Sequence, residues 1–236
     1  MDFTGERWIP GASDPRVEAD HVARYRFAAS YVNGRDVLDI ACGAGGGSSW
    51  LARNGHARTI LAMDVDSEAV AYGREHFAED GLSFEHGDVE QLSFIDKFDV
   101  ITCFETIEHV KDDARGLANL HRALRTGGLL LLSTPNRLIT SPRADSILDR
   151  PENPFHVREY VQAELLNVIS KVGFSIIAVK GQRFRTWFPS GTANMFLDRL
   201  RALRHFNPDR DSSEAVRSDH LMWKQPRILI VVATKP

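Results

Sequence analysis

VLDIACGAGGG, residues 37–47, starts as an apolar run holding one acid and ends in glycines. The apolar run reads as a buried strand and the glycines as the loop after it. In open α/β sheets ligands lie beyond the carboxyl ends of the strands, where a loop without side chains lets them approach the backbone. A dinucleotide calls for G-x-G-x-x-G, but the string here is Gly43-Ala44-Gly45-Gly46-Gly47-Ser48, so the third glycine is displaced. A nucleoside triphosphate calls for a Lys-Ser/Thr pair, and none follows. What remains is a ligand with a nucleoside and no required phosphate.

Outward from this stretch, short β-branched runs alternate with longer helical patterns. Strands are predicted at 36–41, 59–63, 82–86, 98–103, 129–134, 174–180 and 227–234, and helices at 46–54, 67–79, 113–125 and 159–171. Such alternation means βαβ crossovers and a mostly parallel sheet. Ser67 is placed as an N-cap, with Asp66 and Glu68 beside it. Gly127-Gly128 ends a helix and opens LLLLS, a central strand.

Two regions break the alternation. Residues 135–158 form a long link with Pro135, Pro142, Pro151 and Pro154. Residues 181–226 separate the last two strands and carry eight Lys and Arg against five acids, a local +3 in a chain of net −3. Long loops in compact domains are functional or hide structure. A solvated helix face explains these charges; a lid whose arginines meet an anionic substrate is the sharper reading. A helix is expected at 192–206, its apolar side (Met195, Phe196, Leu200, Leu203) packing in the core, with a homodimer contact as the alternative.

With a net charge of −3, no global field attracts nucleic acid or anionic lipid. Cys42 and Cys103 fall in predicted strand ends and read as buried thiols of a reducing compartment. No apolar run reaches the roughly 18 residues of a membrane span. MDFTGERWIPG lacks the order of a signal peptide, so a cytoplasmic protein is expected.

Three acids close successive strands: Asp39 within the first, Asp64 at the end of ILAMDVD, and Asp88 in EHGDVE. Asp39 can pair with a cationic part of a ligand. Asp64 can accept from both ribose hydroxyls. Asp88 can take an adenine amine between Val65 and Val89. Helix capping explains any one of the three; all together favour a nucleoside site.

VLDIACGAGGGS, LAMDVD, GDVEQLSF, FDVITCFETIEHV and LRTGGLLLLSTPN resemble the ordered motifs of class I S-adenosylmethionine-dependent methyltransferases. The likeness spans roughly residues 36–134 and weakens toward the C-terminus. It implies a Rossmann-like α/β fold: seven strands, mostly parallel with the last antiparallel, and helices on both faces. It implies one domain over 1–236, with an N-terminal cap at 1–35 and the 181–226 insertion as a substrate lid. In such enzymes the Gly43/Gly45 loop carries the methionine part, Asp64 the ribose and Asp88 the adenine. Ala41 and Cys103 belong to the expected cofactor wall. TGERWIPG with HVARYRFA resembles, more loosely, bacterial relatives in glycan and natural-product assembly; by analogy Arg24 meets the cofactor carboxylate and Tyr25 covers it. Otherwise these are a surface arginine and a core tyrosine.

ITCFETIEHV places Glu105, Glu108 and His109 at i, i+3 and i+4, one face of a helical turn. Two acids with a histidine look like half a metal site, and NPFHVREY offers His156 as the other half. ExxEH with a later histidine resembles metal-dependent O-methyltransferases, among them ubiquinone-pathway and small-RNA terminal enzymes. The implied ligands are Glu105, Glu108, His109 and His156; the RNA enzymes have more histidines at the second half than this chain. Glu/His ligation suits Mn²⁺, Fe²⁺ or Zn²⁺ better than Mg²⁺. The competing reading makes His109 a lone general base, with Glu105 beside it as the second catalytic group.

The expected reaction is methyl transfer from S-adenosylmethionine to a hydroxyl of a small sugar- or nucleoside-containing intermediate, glycosylated or nucleotide-linked. Its rivals are an aminosugar N-methyltransferase, an RNA 2′-O-methyltransferase, which the acidic chain disfavours, and a nicotinamide oxidoreductase, which the displaced glycine and Asp88 argue against. A non-catalytic binding module is the last alternative.

Overall fold

A computed structural model of the chain describes residues 8–9, 11, 13–77, 79–188, 194, 197, 215–218 and 224–236. The opening stretch becomes β1 (Asp36–Ile40), the third strand of a seven-stranded sheet. The others are β2 (Thr59–Asp64), β3 (Leu82–His86), β4 (Phe98–Phe104), β5 (Leu124–Pro135), β6 (Ser175–Thr186) and β7 (Lys224–Thr234). Their order is β3-β2-β1-β4-β5-β7-β6. β1 to β5 pair in parallel, and β7 runs antiparallel to both β5 and β6. The chain leaves β1 for β2 on one side and reaches β4 on the other. This is the switch point at which an open α/β sheet splays its loops and leaves a crevice.

The helices are α1 (Pro15–Val32), α2 (Gly46–Gly55), α3 (Ser67–His76), α4 (Asp113–Ala123), the single turn α5 (Arg137–Thr140) and α6 (Gln162–Lys171). Strand side chains alternate between two layers, as a period of two requires. Val37, Val100 and Leu131 pack with Tyr25, Ala28 and Leu51 of α1 and α2. Leu38, Ile101, Leu130 and Leu132 pack with Leu117 and Leu120 of α4 and Leu165 of α6. Thus LLLLS is buried on both faces because helices cover both. The stops differ locally from the sequence reading. Asp66, not Ser67, caps α3 by accepting from the Glu68 amide at 2.8 Å. α4 ends at Ala123, and Gly127-Gly128 lies inside β5.

Gly45 caps α2 with φ +88°, and a Cβ there would stand 2.4 Å from the Phe84 ring. Gly45→Ala therefore combines left-handed strain with overpacking and should cost about 2–4 kcal/mol, read by urea unfolding.

At the amino ends of the central strands, Arg58 grips Asp36 through Nε–Oδ1 (2.7 Å) and Nη2–Oδ2 (2.5 Å), while Arg125 bridges Asp36 and Asp99. The Arg58 bond, then Thr59 and Arg125, hold the Asp36 carboxyl well below the usual range. A depressed acid stabilises the fold above its unfolded pKa, and that gain fades as pH falls toward the folded value. Asp36→Asn should lower the unfolding midpoint at neutral pH, and the gap to wild type should begin to narrow below about pH 4 in a urea series.

The 135–158 link holds structure: Arg137 of α5 donates two bonds to the Glu164 carboxylate (2.7 and 2.8 Å), locking the link to α6. β6 and β7 stay paired out to Thr186 and Lys224, so both ends of the 181–226 insertion are strand. The predicted helix at 192–206, with Met195, Phe196, Leu200 and Leu203, lies outside the described residues apart from positions 194 and 197. No described helix is long and apolar enough to cross a membrane.

Candidate active site

A cavity of about 970 Å³ opens at the carboxyl ends of β1, β2 and β4, the upper end of the range for small-molecule sites. Two residues at its floor hold left-handed backbone without being glycine: Ala41 after β1 (φ +58°) and Glu105 after β4 (φ +48°). Such strain persists only where the surroundings impose it. For Glu105 they do: its amide donates to the Ser133 carbonyl at 3.0 Å, and Ser133 Oγ donates to Glu105 Oε1 at 2.6 Å.

Ala41, Gly43, Asp64, Val65, Asp88 and Val89 all line this cavity. Asp64 Oδ2 accepts from the Gly43 amide at 2.8 Å and Oδ1 from the Asp66 amide at 2.9 Å. One acid thus shapes the glycine loop and the following turn. Asp88 caps a 3-10 turn at 89–91 through the Glu90 amide while also forming cavity wall, so the capping and ligand roles coexist.

Four expected members stand elsewhere. Asp39 does not line the cavity. Its carboxylate accepts from Tyr25 Oη (3.0 Å to Oδ2), Ser48 Oγ (2.5 Å) and Thr102 Oγ1 (2.7 Å). Burial still pushes its pKa up. Asp39 shares a strand face with Val37, and α1 and α2 cover that face, so it pins helices to the sheet. Cys103 is fully buried on the α4/α6 face, where burial pushes its thiol up to about 12; Cys42 takes its place in the wall. Gly45 turns the chain into α2 and packs on Phe84, away from the cavity. Arg24 is 2% exposed, donates from Nη1 to Gln182 Oε1 at 2.9 Å and faces a different space. Tyr25 is a cavity wall, its ring edge-on to Phe104 (5.4 Å) and over Gly47, where a Cβ would fall 1.9 Å from it.

Arg24's space is a second chamber of about 240 Å³, and His21, Glu105 and His109 line both. It is strongly polar. Glu108 is 1% exposed and accepts from Thr134 Oγ1 at 2.8 Å. Burial, then the neighbouring Glu105 carboxylate, push its pKa well above the ordinary value. The Glu108 carbonyl accepts from the Val157 amide at 2.8 Å, which draws the 135–158 link onto the turn at 107–109. His156 thereby meets His109 edge to face, ring centroids 4.9 Å apart.

Ligand atoms of Glu108, His109 and His156 all lie within 4.8 Å of one another. Glu105 is outside that group: its left-handed backbone precedes the turn and sends its carboxylate to Ser133. His156 Nδ1 lies 2.6 Å from Glu159 Oε1, and His109 Nδ1 lies 3.0 Å from the Phe155 carbonyl. Acceptors at both Nδ1 positions place the ring protons there, and His156 Nε2 then accepts from Asn153 Nδ2 at 2.9 Å. Burial opposes ionisation of Glu159, but bonds from His156, Thr140 and Ser141 outweigh it and hold its carboxyl below the ordinary value.

Residues 38–132 match the methyltransferase domain family. The chain carries a class I S-adenosylmethionine-dependent methyltransferase domain. A Mycolicibacterium smegmatis protein named as a "probable S-adenosylmethionine-dependent methyltransferase" is 36% identical over 75% of this chain and 66% of its own length. A Mycobacterium tuberculosis relative of the same description is 36% identical over 77% and 64%. The chain thus spans about two thirds of these relatives. The ubiquinone biosynthesis O-methyltransferase of Actinobacillus pleuropneumoniae is 29% identical over 75% of this chain and 82% of that one. An S-adenosylmethionine-dependent methyltransferase structure from Mesorhizobium loti superposes with TM-score 0.60 at 21% identity, over 89% of this chain and 95% of that one. The cyclase SpnF superposes at 0.64 with 18% identity, over 98% and 86%, so likeness of fold leaves the reaction open.

Sequence reading missed several residues of the methyltransferase domain's two cavities. Trp8 and His21 form the aromatic end of the first, and Asn153 and Glu159 complete the second. His21, Arg24 and Tyr25 at i, i+3 and i+4 carried a signal, since that spacing puts them on one helix face. Trp8 had none, because it lies before α1.

Proposed function

We propose that the protein is an O-methyltransferase that moves the methyl of S-adenosylmethionine to a hydroxyl of a small sugar- or nucleoside-containing intermediate, assisted by a divalent metal at Glu108, His109 and His156. The observation that carries this reading is the polar chamber joined to the cofactor cavity through Glu105 and His109. In this reading Asp64 holds the ribose, Asp88 with Val65 and Val89 the adenine, and the Gly43 loop the methionine part.

The sulfonium methyl arrives activated, so the chain's task is alignment and handling of one proton. Alignment alone is worth about 7–11 kcal/mol of barrier. A sugar hydroxyl is protonated at neutral pH and needs help to become a nucleophile. The donor set fits a cation: a buried carboxylate pressed by a second acid, the His109 imidazole, and the His156 imidazole, which Glu159 orients from behind and whose Nε2 would exchange the Asn153 amide for the ion. A divalent ion there supplies a Lewis acid that lowers the hydroxyl pKa. Glu105, on the wall shared by the two cavities, orients the acceptor oxygen toward the cofactor side and accepts its proton, while His109 on the same wall holds the ion. The ubiquinone-pathway relative, named as an O-methyltransferase, supports oxygen as the acceptor atom.

A second reading is N-methylation of an amine. Asp20, Glu105, Glu108 and Glu159 outnumber Arg24 and Arg227 around the chamber, a balance that welcomes an ammonium as well as a metal. Incubation with S-adenosylmethionine, Mn²⁺ and a panel of sugars, aminosugars and nucleosides separates the two. A methyl on oxygen, lost in excess chelator, is expected. Full turnover in chelator removes the metal, and a methyl on nitrogen removes the oxygen assignment.

A further inference from the structure

We propose that Trp8 is a cofactor-binding residue whose indole N–H donates to the carboxylate of the methionine part of S-adenosylmethionine. Trp8 is 8% exposed, and its Nε1 has no hydrogen-bond partner among the described residues. Of the buried side-chain atoms without partners among the described residues, it alone belongs to a residue lining the cofactor cavity. A buried donor left unpaired is destabilising and calls for an explanation.

Its place in the fold supplies one. Trp8 stacks on His21 (5.8 Å, 25°) and tilts against Tyr25 (6.5 Å, 40°). Tyr25 in turn bonds Asp39 of β1 and meets Phe104 of β4. The aromatic group therefore closes the β1/β4 end of the cavity, while Asp88 marks the far end, beyond β3. The argument rests on the ligand placement given above: with adenine at Asp88 and ribose at Asp64, an extended ligand ends in its amino-acid group beside Trp8.

Among the described residues, the charged and phenolic donors nearest this end of the cavity are engaged or face another way. Tyr25 Oη donates to Asp39, and Arg24 lines the second chamber. Lys111 lies by the adenine end, next to Asp112, whose amide donates to Glu90. His21 remains as a neighbour; burial, then the charge of Arg24, hold its pKa well below the ordinary value, so the ring is neutral. A neutral N–H in an apolar wall gives a charge-assisted bond to a carboxylate and places no competing cation near the sulfonium.

The test compares two ligands by calorimetry on the full chain: S-adenosylhomocysteine, which has the carboxylate, and 5′-methylthioadenosine, which lacks it. Trp8→Phe keeps the ring and removes the donor. It should weaken the first roughly 10- to 100-fold, the worth of one hydrogen bond to a charged group, and leave the second unchanged. Unchanged affinity for S-adenosylhomocysteine, or equal loss for both ligands, would overturn the proposal. Asp64→Ala checks the underlying placement separately, because it must weaken both ligands. In the wild-type chain with ¹⁵N-labelled tryptophans, four in all, the indole signal absent from the Phe variant should shift downfield with the first ligand and not with the second. Where the variant does not fold, the Trp8 signal is assigned by its through-space contacts to His21 and Tyr25, and its failure to shift with the first ligand overturns the proposal.

Discussion

Asp64→Ala is expected to raise the dissociation constant for S-adenosylhomocysteine by about 10²- to 10⁴-fold, the worth of two hydrogen bonds to a charged group. Each oxygen of this carboxylate already holds one backbone amide, Gly43 at 2.8 Å and Asp66 at 2.9 Å. A carboxylate oxygen has lone pairs for a second donor, so the ribose hydroxyls can be taken without releasing the loop. Alanine removes both functions at once: the ribose acceptors and the brace that shapes residues 41–43. Asp64→Asn keeps one acceptor oxygen and should lose less. Calorimetry reads the difference, and an alanine variant that binds like wild type would disprove the ribose assignment.

Glu108→Gln should leave cofactor affinity unchanged and lower kcat by at least about 10²- to 10³-fold, within the range for losing acid–base or Lewis-acid assistance. The site explains the split. Glu108 lines only the second chamber, while Glu105 and His109 face both. Glutamine preserves the acceptor for Thr134 and the backbone bond to Val157, so the turn at 107–109 keeps its shape. In metal-free protein the exchange also removes an acid buried beside Glu105, and thermal stability should hold or rise. A variant as stable as wild type but inactive, with Mn²⁺ binding lost by calorimetry, is the expected pattern. Full activity in Glu108→Gln would take Glu108 out of the chemistry.

The acids at the strand ends were legible because the signals are local. A strand end, a glycine loop and an acid a few residues away sit within one stretch, as at Gly43, Asp64 and Asp88. Asp39 was misjudged on the same evidence. Sequence spacing places it beside the loop, but only packing shows that its face of β1 is covered by α1 and α2. Arg24 stands in another space than expected for a similar reason: α1 shows its face by its spacing, but not which of two neighbouring cavities that face meets.

By itself the sequence determined the alternation of strands and helices, the glycine loop after β1 and the acids that close successive strands. All follow from periods of 2 and 3.6 residues and from short-range turn chemistry. Tertiary structure alone decided that Glu105 leaves the helical turn for Ser133, and that His156 crosses the link to reach His109. It also decided that the Trp8 indole N–H, without a partner among the described residues, stands at one end of the larger cavity. These are contacts between segments far apart in the chain. Their geometry depends on how loops fall across the finished sheet, which no local pattern encodes.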